Sequence, residues 1–122
     1  MANTFRMTNE ANVSTSLETL YTVQSSTTTV LLGIMLSNTS SSTVKASVQI
    51  VSTSAVGSGV SNSGASNANE TTYLIKDAPI NNASSLEIMA GNKIVLQHLD
   101  QIKAQSDTAS ALDIIISYME IT

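Results

Sequence analysis

Between residues 43 and 52, apolar Val44, Ala46, Val48 and Ile50 alternate strictly with polar Lys45, Ser47 and Gln49. Strand side chains point to opposite faces with a period of two, so this pattern predicts a strand with one face in a core and the other in water. A helix would scatter the same apolar residues around its circumference. A half-buried strand also demands a second layer to cover its apolar face, and the rest of the chain must supply it.

Two further segments have the length and hydrophobicity to do so. Residues 28–38 place Val30, Leu32, Ile34 and Leu36 on one parity and Leu31, Gly33, Met35 and Ser37 on the other. The threonines before this run and the glycine within it favour a strand over a helix. Near the end, Leu112, Ile114, Ile116 and Tyr118 share one face, while Ile115 and Met119 stand among Asp113, Ser117 and Glu120 on the other. Shorter strands are predicted over residues 17–24, 71–76, 84–89, 93–98 and 101–106. Turn formers such as Asn81-Asn82, Ala90-Gly91-Asn92 and Leu99-Asp100 separate them.

The polar side chains are of the kind that suits strands and turns. The chain carries 20 Ser, 15 Thr and 10 Asn, whereas Asp, Glu, Lys and Arg together make up only 11% of it. Long, charged helix formers are scarce, and short hydroxyl and amide side chains cost little entropy to order. Together these features predict an all-β fold, an antiparallel β-sandwich of about eight strands with a jelly-roll-like arrangement. Residues 1–122 are expected to form one domain, with an N-terminal arm over 1–12 and a long polar loop over 53–69. Pro79 is expected to end a strand, because it removes a ladder donor.

Several functions are disfavoured. A net charge of −4 opposes direct binding to nucleic acid or an anionic membrane. With no cysteine the fold can have no disulfide framework and no thiolate metal site. The opening residues lack the apolar core of a signal sequence, and the stretch from Val30 to Leu36 is too short to span a bilayer, so no membrane insertion is expected. His98, the single imidazole, has only Asp100 close by, which is at most a pair where a metal wants three or four ligands. Asp77, Asp100, Asp107 and Asp113 fall near strand ends without the spacing of a calcium loop, and no nucleophile elbow or phosphate loop occurs. The expectation is no enzyme, no catalytic residue, no cofactor and no metal. Phe5, Tyr21, Tyr73 and Tyr118 are few platforms for sugar rings, and core or interface packing competes for them.

What remains is an excess of apolar side chains. If one parity of each long strand fills the core, Leu31, Met35, Ile115 and Met119 point away from it. They are the candidate interface of a homo-oligomer, with a trimer as the favoured closed form. The competing expectation is that the N-terminal arm, with Phe5 and Met7, folds over them.

Several segments also resemble a family. Met1–Phe5 (MANTF), Leu20-Tyr21-Thr22, residues 72–80 (TYLIKDAPI), Ser84-Ser85-Leu86-Glu87, residues 91–96 (GNKIVL) and residues 116–122 (ISYMEIT) are similar to small virion structural proteins of tailed phages, notably phages of marine cyanobacteria and other aquatic bacteria. The match covers both ends and most of the second half. It departs at Ile80-Asn81-Asn82-Ala83, where the family commonly has Pro-Ala-Gly, and at Gln97-His98-Leu99-Asp100, where Glu-Ala-Gly-Asp is usual. The resemblance implies a multi-copy subunit made in the host cytoplasm and carried on the virion, with other virion proteins as partners. Capsid decoration stands ahead of a neck or tail accessory role, and a receptor or glycan-binding module is the competing class.

Overall fold

The computed structural model describes residues 2–53 and 70–122, so the expected polar loop lies outside the described residues apart from Thr53. Nine strands are present and no helix occurs among the described residues. They are β1 (Asn3–Glu10), β2 (Glu18–Thr22), β3 (Thr28–Asn38), β4 (Val44–Ser52), β5 (Glu70–Ile80), β6 (Ser85–Glu87), β7 (Ile94–Leu96), β8 (Gln101–Ser106) and β9 (Leu112–Ile121). A five-stranded sheet runs β1-β9-β3-β6, with β7 also on β3, and a four-stranded sheet runs β2-β8-β4-β5.

The pairings are nested. β1 meets β9, β2 meets β8, β3 meets β6 and β7, and β4 meets β5, all antiparallel. The chain thus doubles back on itself, and successive pairs fall alternately into the two sheets. That is the jelly-roll arrangement, with β6 and β7 as two halves of one interrupted strand along β3. The break between the halves is a tight turn at Met89–Asn92. Ala90 and Gly91 there take φ of 52° and 83°, and Asn92 N–H donates to the Met89 carbonyl at 2.9 Å. Positive φ at both central positions is a tight-turn geometry that glycine adopts without steric cost.

The core lies between the sheets. Leu31, Ile34 and Leu36 of β3 and Ile114 and Ile116 of β9 meet Val44, Ala46 and Val48 of β4, all fully or almost fully buried. The alternation predicted for β9 is the one observed; in β4 Val44, Ala46 and Val48 face the core as predicted, but Ser47 and Gln49 on the other parity are almost fully buried as well rather than in water. In β3 the predicted alternation breaks. Leu31 pairs with Tyr118 but Gly33 pairs with the next residue, Ser117, so Leu32 is an extra residue, a β-bulge. On its N-terminal side the odd residues Thr29 and Leu31 face the core, and beyond it the even residues Ile34 and Leu36 do. Leu31 is therefore a core residue with no exposed surface, which corrects its expected outward position, and Val30 faces outward beside Met119.

Pro79 does not end β5 but occupies its penultimate position, opposite Lys45. β5 is an edge strand paired only with β4, so a missing donor on its free side breaks no ladder. The end of β5 is instead held by Asn38, which is almost fully buried at the end of β3. Its Nδ2 donates to the carbonyls of Ser42 at 2.7 Å and Ile80 at 2.9 Å, while its Oδ1 accepts from Ser40 N and Oγ at 2.9 and 2.8 Å. One amide thus clamps the β3–β4 connection to β5. Removing it strands the buried Ile80 carbonyl, at about 1–3 kcal/mol, and deprives the half-buried Ser40 and the Ser42 carbonyl of their partner. Asn38→Ala is expected to lower unfolding stability by about 3 kcal/mol in urea titration, whereas Asn82→Ala, in an exposed turn, should change it by less than about 0.5 kcal/mol.

Candidate interaction surface

The outer face of the five-stranded sheet follows from the register. Ile114, Ile116 and Tyr118 point into the core, so Ile115, Ser117 and Met119 point out, and directly paired residues share a face. Phe5, Met119, Val30 and Val95 form one row across β1, β9, β3 and β7. Met7, Ser117 and Gly33 form the next, and Asn9, Ile115, Met35 and Glu87 the third. Phe5 is 73% exposed, Met7 59%, Val95 55%, and Met35 and Ile115 42% each. Of the four residues expected outside, Met35, Ile115 and Met119 stand on this face, and Leu31 does not.

The N-terminal arm does not cover them. It carries β1, which joins the same sheet alongside β9 and adds Phe5 and Met7 to the apolar face. Its other parity, Thr4, Arg6, Thr8 and Glu10, faces the side of the sandwich interior. This inverts the usual polarity of an edge strand. Sequence reasoning missed Phe5, Met7, Val30 and Val95 as members of the face, although the alternation of Phe5 and Met7 with Thr4, Arg6 and Thr8 carried the signal for the first two.

The opposite outer face is polar. Thr19, Lys103, Gln49 and Tyr73 form one row of the four-stranded sheet, and Ser47 lies opposite Gln105 in the next. The Lys76 ammonium stands 5.3 Å from the Tyr73 ring centroid. Only one of the two outer faces is therefore costly to leave in water.

Where β1 and β2 leave the sandwich open, a groove is lined by Arg6, Leu20, Tyr21, Tyr118 and Glu120. Glu120 joins three strands there. Its Oε1 accepts from Arg6 Nε at 2.7 Å, and its Oε2 accepts from the Tyr21 hydroxyl at 2.9 Å. With its one proton committed to Glu120, the Tyr21 hydroxyl accepts from Thr29 Oγ1 at 2.7 Å. Burial pushes the Tyr21 phenol up to about 12; the Thr29 bond opposes this, and the bond to Glu120 and its charge add to it. The rings of Tyr21 and Tyr118 pack 4.6 Å apart. Farther along the same opening, a hydrogen bond to Glu18 holds the Glu10 carboxyl above its ordinary range, and burial and the Glu18 charge act in the same direction. These groups tie one sheet to the other with their polar atoms paired among themselves.

The candidate chemical residues are distributed. His98 is exposed in the turn before β8, with Nδ1 at 3.4 Å from the Gln24 carbonyl. Buried Asp100 accepts from Gln97 N at 2.8 Å and Thr53 N at 3.0 Å, Asp107 from Lys45 N at 3.0 Å, and Asp113 from Asn12 N at 2.9 Å. Asp100 closes its own turn through Gln97, whereas its bond to Thr53 and those of Asp107 and Asp113 accept from backbone donors distant in sequence. Asp77 and Asp107 line one shallow pocket with Lys45. Among the described residues no three His, Asp or Glu side chains converge as metal ligands, and no helix is long and apolar enough to cross a membrane.

The molecule is a jelly-roll β-sandwich with one apolar and one polar outer face. No family model matches the chain, and no curated protein matches it. Solved structures share the fold. A chain of Bacillus endospore appendages, which form a family of disulfide-linked pili, is similar with a TM-score of 0.51 and 15% identity, over 99% of this chain and 87% of that one. A chain of the T13 IBDV viral particle is similar with a TM-score of 0.53 and 6% identity, over 97% of this chain and 30% of that one. At these identities the likeness is one of fold. Lacking cysteine, this chain has no means of making the disulfide links of the pili.

The register separates neighbouring residues of β3 by their tolerance of charge. At protein concentrations low enough to keep the subunit free, Met35→Asp is expected to shift unfolding stability by less than about 1 kcal/mol, since the side chain reaches water. Leu31→Asp buries an unpaired carboxylate and should cost more than about 4 kcal/mol or prevent folding. Urea titration followed by circular dichroism measures both, and equal tolerance at the two positions would contradict the bulge.

Proposed function

We propose that the chain is a non-enzymatic structural subunit of a viral particle, carried in many copies on the capsid of a tailed phage as a decoration protein. The observation that carries this reading is the asymmetry of the sandwich. One outer face carries an apolar row four strands across, Phe5, Met119, Val30 and Val95, with Met7, Ile115 and Met35 exposed on the rows beside it, whereas the other is built mainly of polar side chains. An apolar face of this kind on a small domain marks a contact with another macromolecule. Asp100, Asp107, Asp113 and Glu120 are engaged in hydrogen bonds within the fold, which gives these four carboxylates structural roles.

The fold supports the same reading, since chains sharing it belong to a pilus and a viral particle. The phage context and the virion location rest on the resemblance of the segments quoted from Met1–Phe5 to residues 116–122. Under this proposal the partners are further copies of the chain and other virion proteins.

Locating the protein in purified particles by reconstruction or gold labelling tests the proposal. Hundreds of copies spread over the shell are expected. A few rings at the portal or along the tail would replace decoration by a neck or tail role. Absence from particles, together with retention on host polysaccharide that Tyr73→Ala abolishes without unfolding, would replace the proposal by a glycan-binding module.

A further inference from the structure

We propose that β1 pairs through its free edge with β1 of a second copy, antiparallel, so that the two five-stranded sheets join into one. The inference rests on the reading of the chain as a self-assembling structural subunit and adds the strand, the register and the symmetry of its self-contact.

Among the described strands, β1 and the interrupted β6–β7 line form the edges of one sheet, and β2 and β5 those of the other. Three of these edges are unsuited to adding a strand. β6 and β7 have three residues each, with a turn between them. β2 has five residues and a register shift at its middle. β5 is long, but its register shifts twice, Asp77 takes φ of 51° and Pro79 lacks a donor. Bulges, prolines and short length are the devices that keep sheet edges from pairing. β1 has none of them, and its eight residues run in unbroken register along β9.

The ladder with β9 fixes which backbone groups of β1 are free. Ala2 N–H donates to the Thr122 carbonyl and Thr122 N–H to the Ala2 carbonyl, both at 3.0 Å. Pairs that exchange both bonds alternate along an antiparallel ladder, so Thr4, Arg6, Thr8 and Glu10 direct their backbone groups to β9. The N–H and C=O groups of Asn3, Phe5, Met7 and Asn9 point the other way, to the edge, and all four residues are exposed. A second β1, turned antiparallel, presents the matching row of donors and acceptors.

Bond count and side chains choose the register. With Arg6 on the two-fold axis, Asn3 of each copy pairs with Asn9 of the other, and Phe5 of each with Met7 of the other, which forms about eight main-chain hydrogen bonds. A slide of two residues either way gives up about two of them and sets an asparagine opposite Met7 or Phe5. Paired residues share a face, so Phe5 and Met7, 73% and 59% exposed in one copy, cover each other across the seam. Arg6 stands opposite its own symmetry mate, but its Nε is held at 2.7 Å by Oε1 of Glu120 on β9. Each guanidinium is thereby drawn back from the seam with its counter-charge beside it. The axis is perpendicular to the sheet, which leaves the apolar outer faces of both copies on the same side, as seating on one particle surface requires. An edge that pairs with itself closes at two subunits, so this contact makes a dimer where sequence alone favoured a trimer.

Amide exchange followed by NMR reads the two parities of β1 separately. As protein concentration is raised until the mass in light scattering doubles, the amides of Asn3, Phe5, Met7 and Asn9 are expected to slow by about tenfold or more, while those of Thr4, Arg6 and Thr8 keep the protection that β9 gives them. The absence of native cysteine lets cross-linking test the register. A mixture of Thr4→Cys and Thr8→Cys chains should form a disulfide-linked dimer on oxidation, because these positions lie opposite at about 4.5 Å, whereas either variant alone places its cysteines about 14 Å apart and should not. Met7→Pro removes a donor from the edge and none from the ladder with β9, so a folded monomer is expected, while Met35→Asp, away from the edge, should remain a dimer. A chain still monomeric at about 1 mM overturns the proposal, as does a trimer, a dimer whose edge amides stay fast, a dimer of Met7→Pro or the lack of a mixed cross-link. Should Met7→Pro fail to fold, the exchange pattern of the unsubstituted chain decides. Edge protection that arises only on particles would assign β1 to a different virion protein and overturn the second copy. A monomer in solution that nonetheless occupies particles would sink this inference and leave the proposed function standing. A dimer of the expected register that is absent from particles would do the reverse.

Discussion

The extra residue at Leu32 is the constraint on which the two faces of the five-stranded sheet depend. Without it, β3 would carry one parity inward along its whole length, and a single slip exchanges every core side chain for a solvent-facing one. The bulge lets Thr29 and Leu31 fill the core at one end while Ile34 and Leu36 fill it at the other. Val30 is thereby turned outward into line with Phe5, Met119 and Val95. The apolar row exists because the register breaks where it does.

Much of this architecture was legible in the residues. β9 alternates cleanly, and the apolar parity of β4 faces the core as its pattern predicts, although Ser47 and Gln49 on its polar parity are buried too. The turns at Asn81-Asn82 and Ala90-Gly91-Asn92 were legible because their residues tolerate the backbone that a turn needs. Leu31 was not, since a period of two carried through 28–38 has no place for an extra residue, and the isolated Gly33 was its only local sign. β1 was hidden for a different reason. Its apolar side faces out and its polar side faces in, so the rule that assigns alternating residues to a core gives no strand-forming reward there. Pro79 misled in the other direction, because whether a proline ends a strand depends on which neighbour that strand has, which is settled only by the tertiary arrangement.

The polar groups complete a consistent picture. Asn38, Asp100, Asp107 and Asp113 all accept or donate toward backbone at connections between strands, and Glu120 gathers Arg6 and Tyr21 where the sandwich is open. Asn38 satisfies the Ile80 carbonyl in the interior and Asp100 is itself buried, while the bonds of Asp107 and Asp113 and the Arg6–Glu120 pair lie at the surface. Their engagement in holding the fold leaves the apolar face as the feature the fold itself does not require, and it is this face that the proposed assembly uses.

The methionines report directly on whether that face is covered in the assembled state. Met7 and Met35 lie exposed on it, whereas Met89 is buried in the core. Mild peroxide oxidation followed by peptide mass spectrometry reads each thioether separately. The account predicts that Met7 and Met35 oxidise quickly in the free subunit and become about as slow as Met89 on assembly. Equal oxidation rates for Met7 and Met35 in the free and assembled forms would show that the apolar face remains in water and would contradict the account.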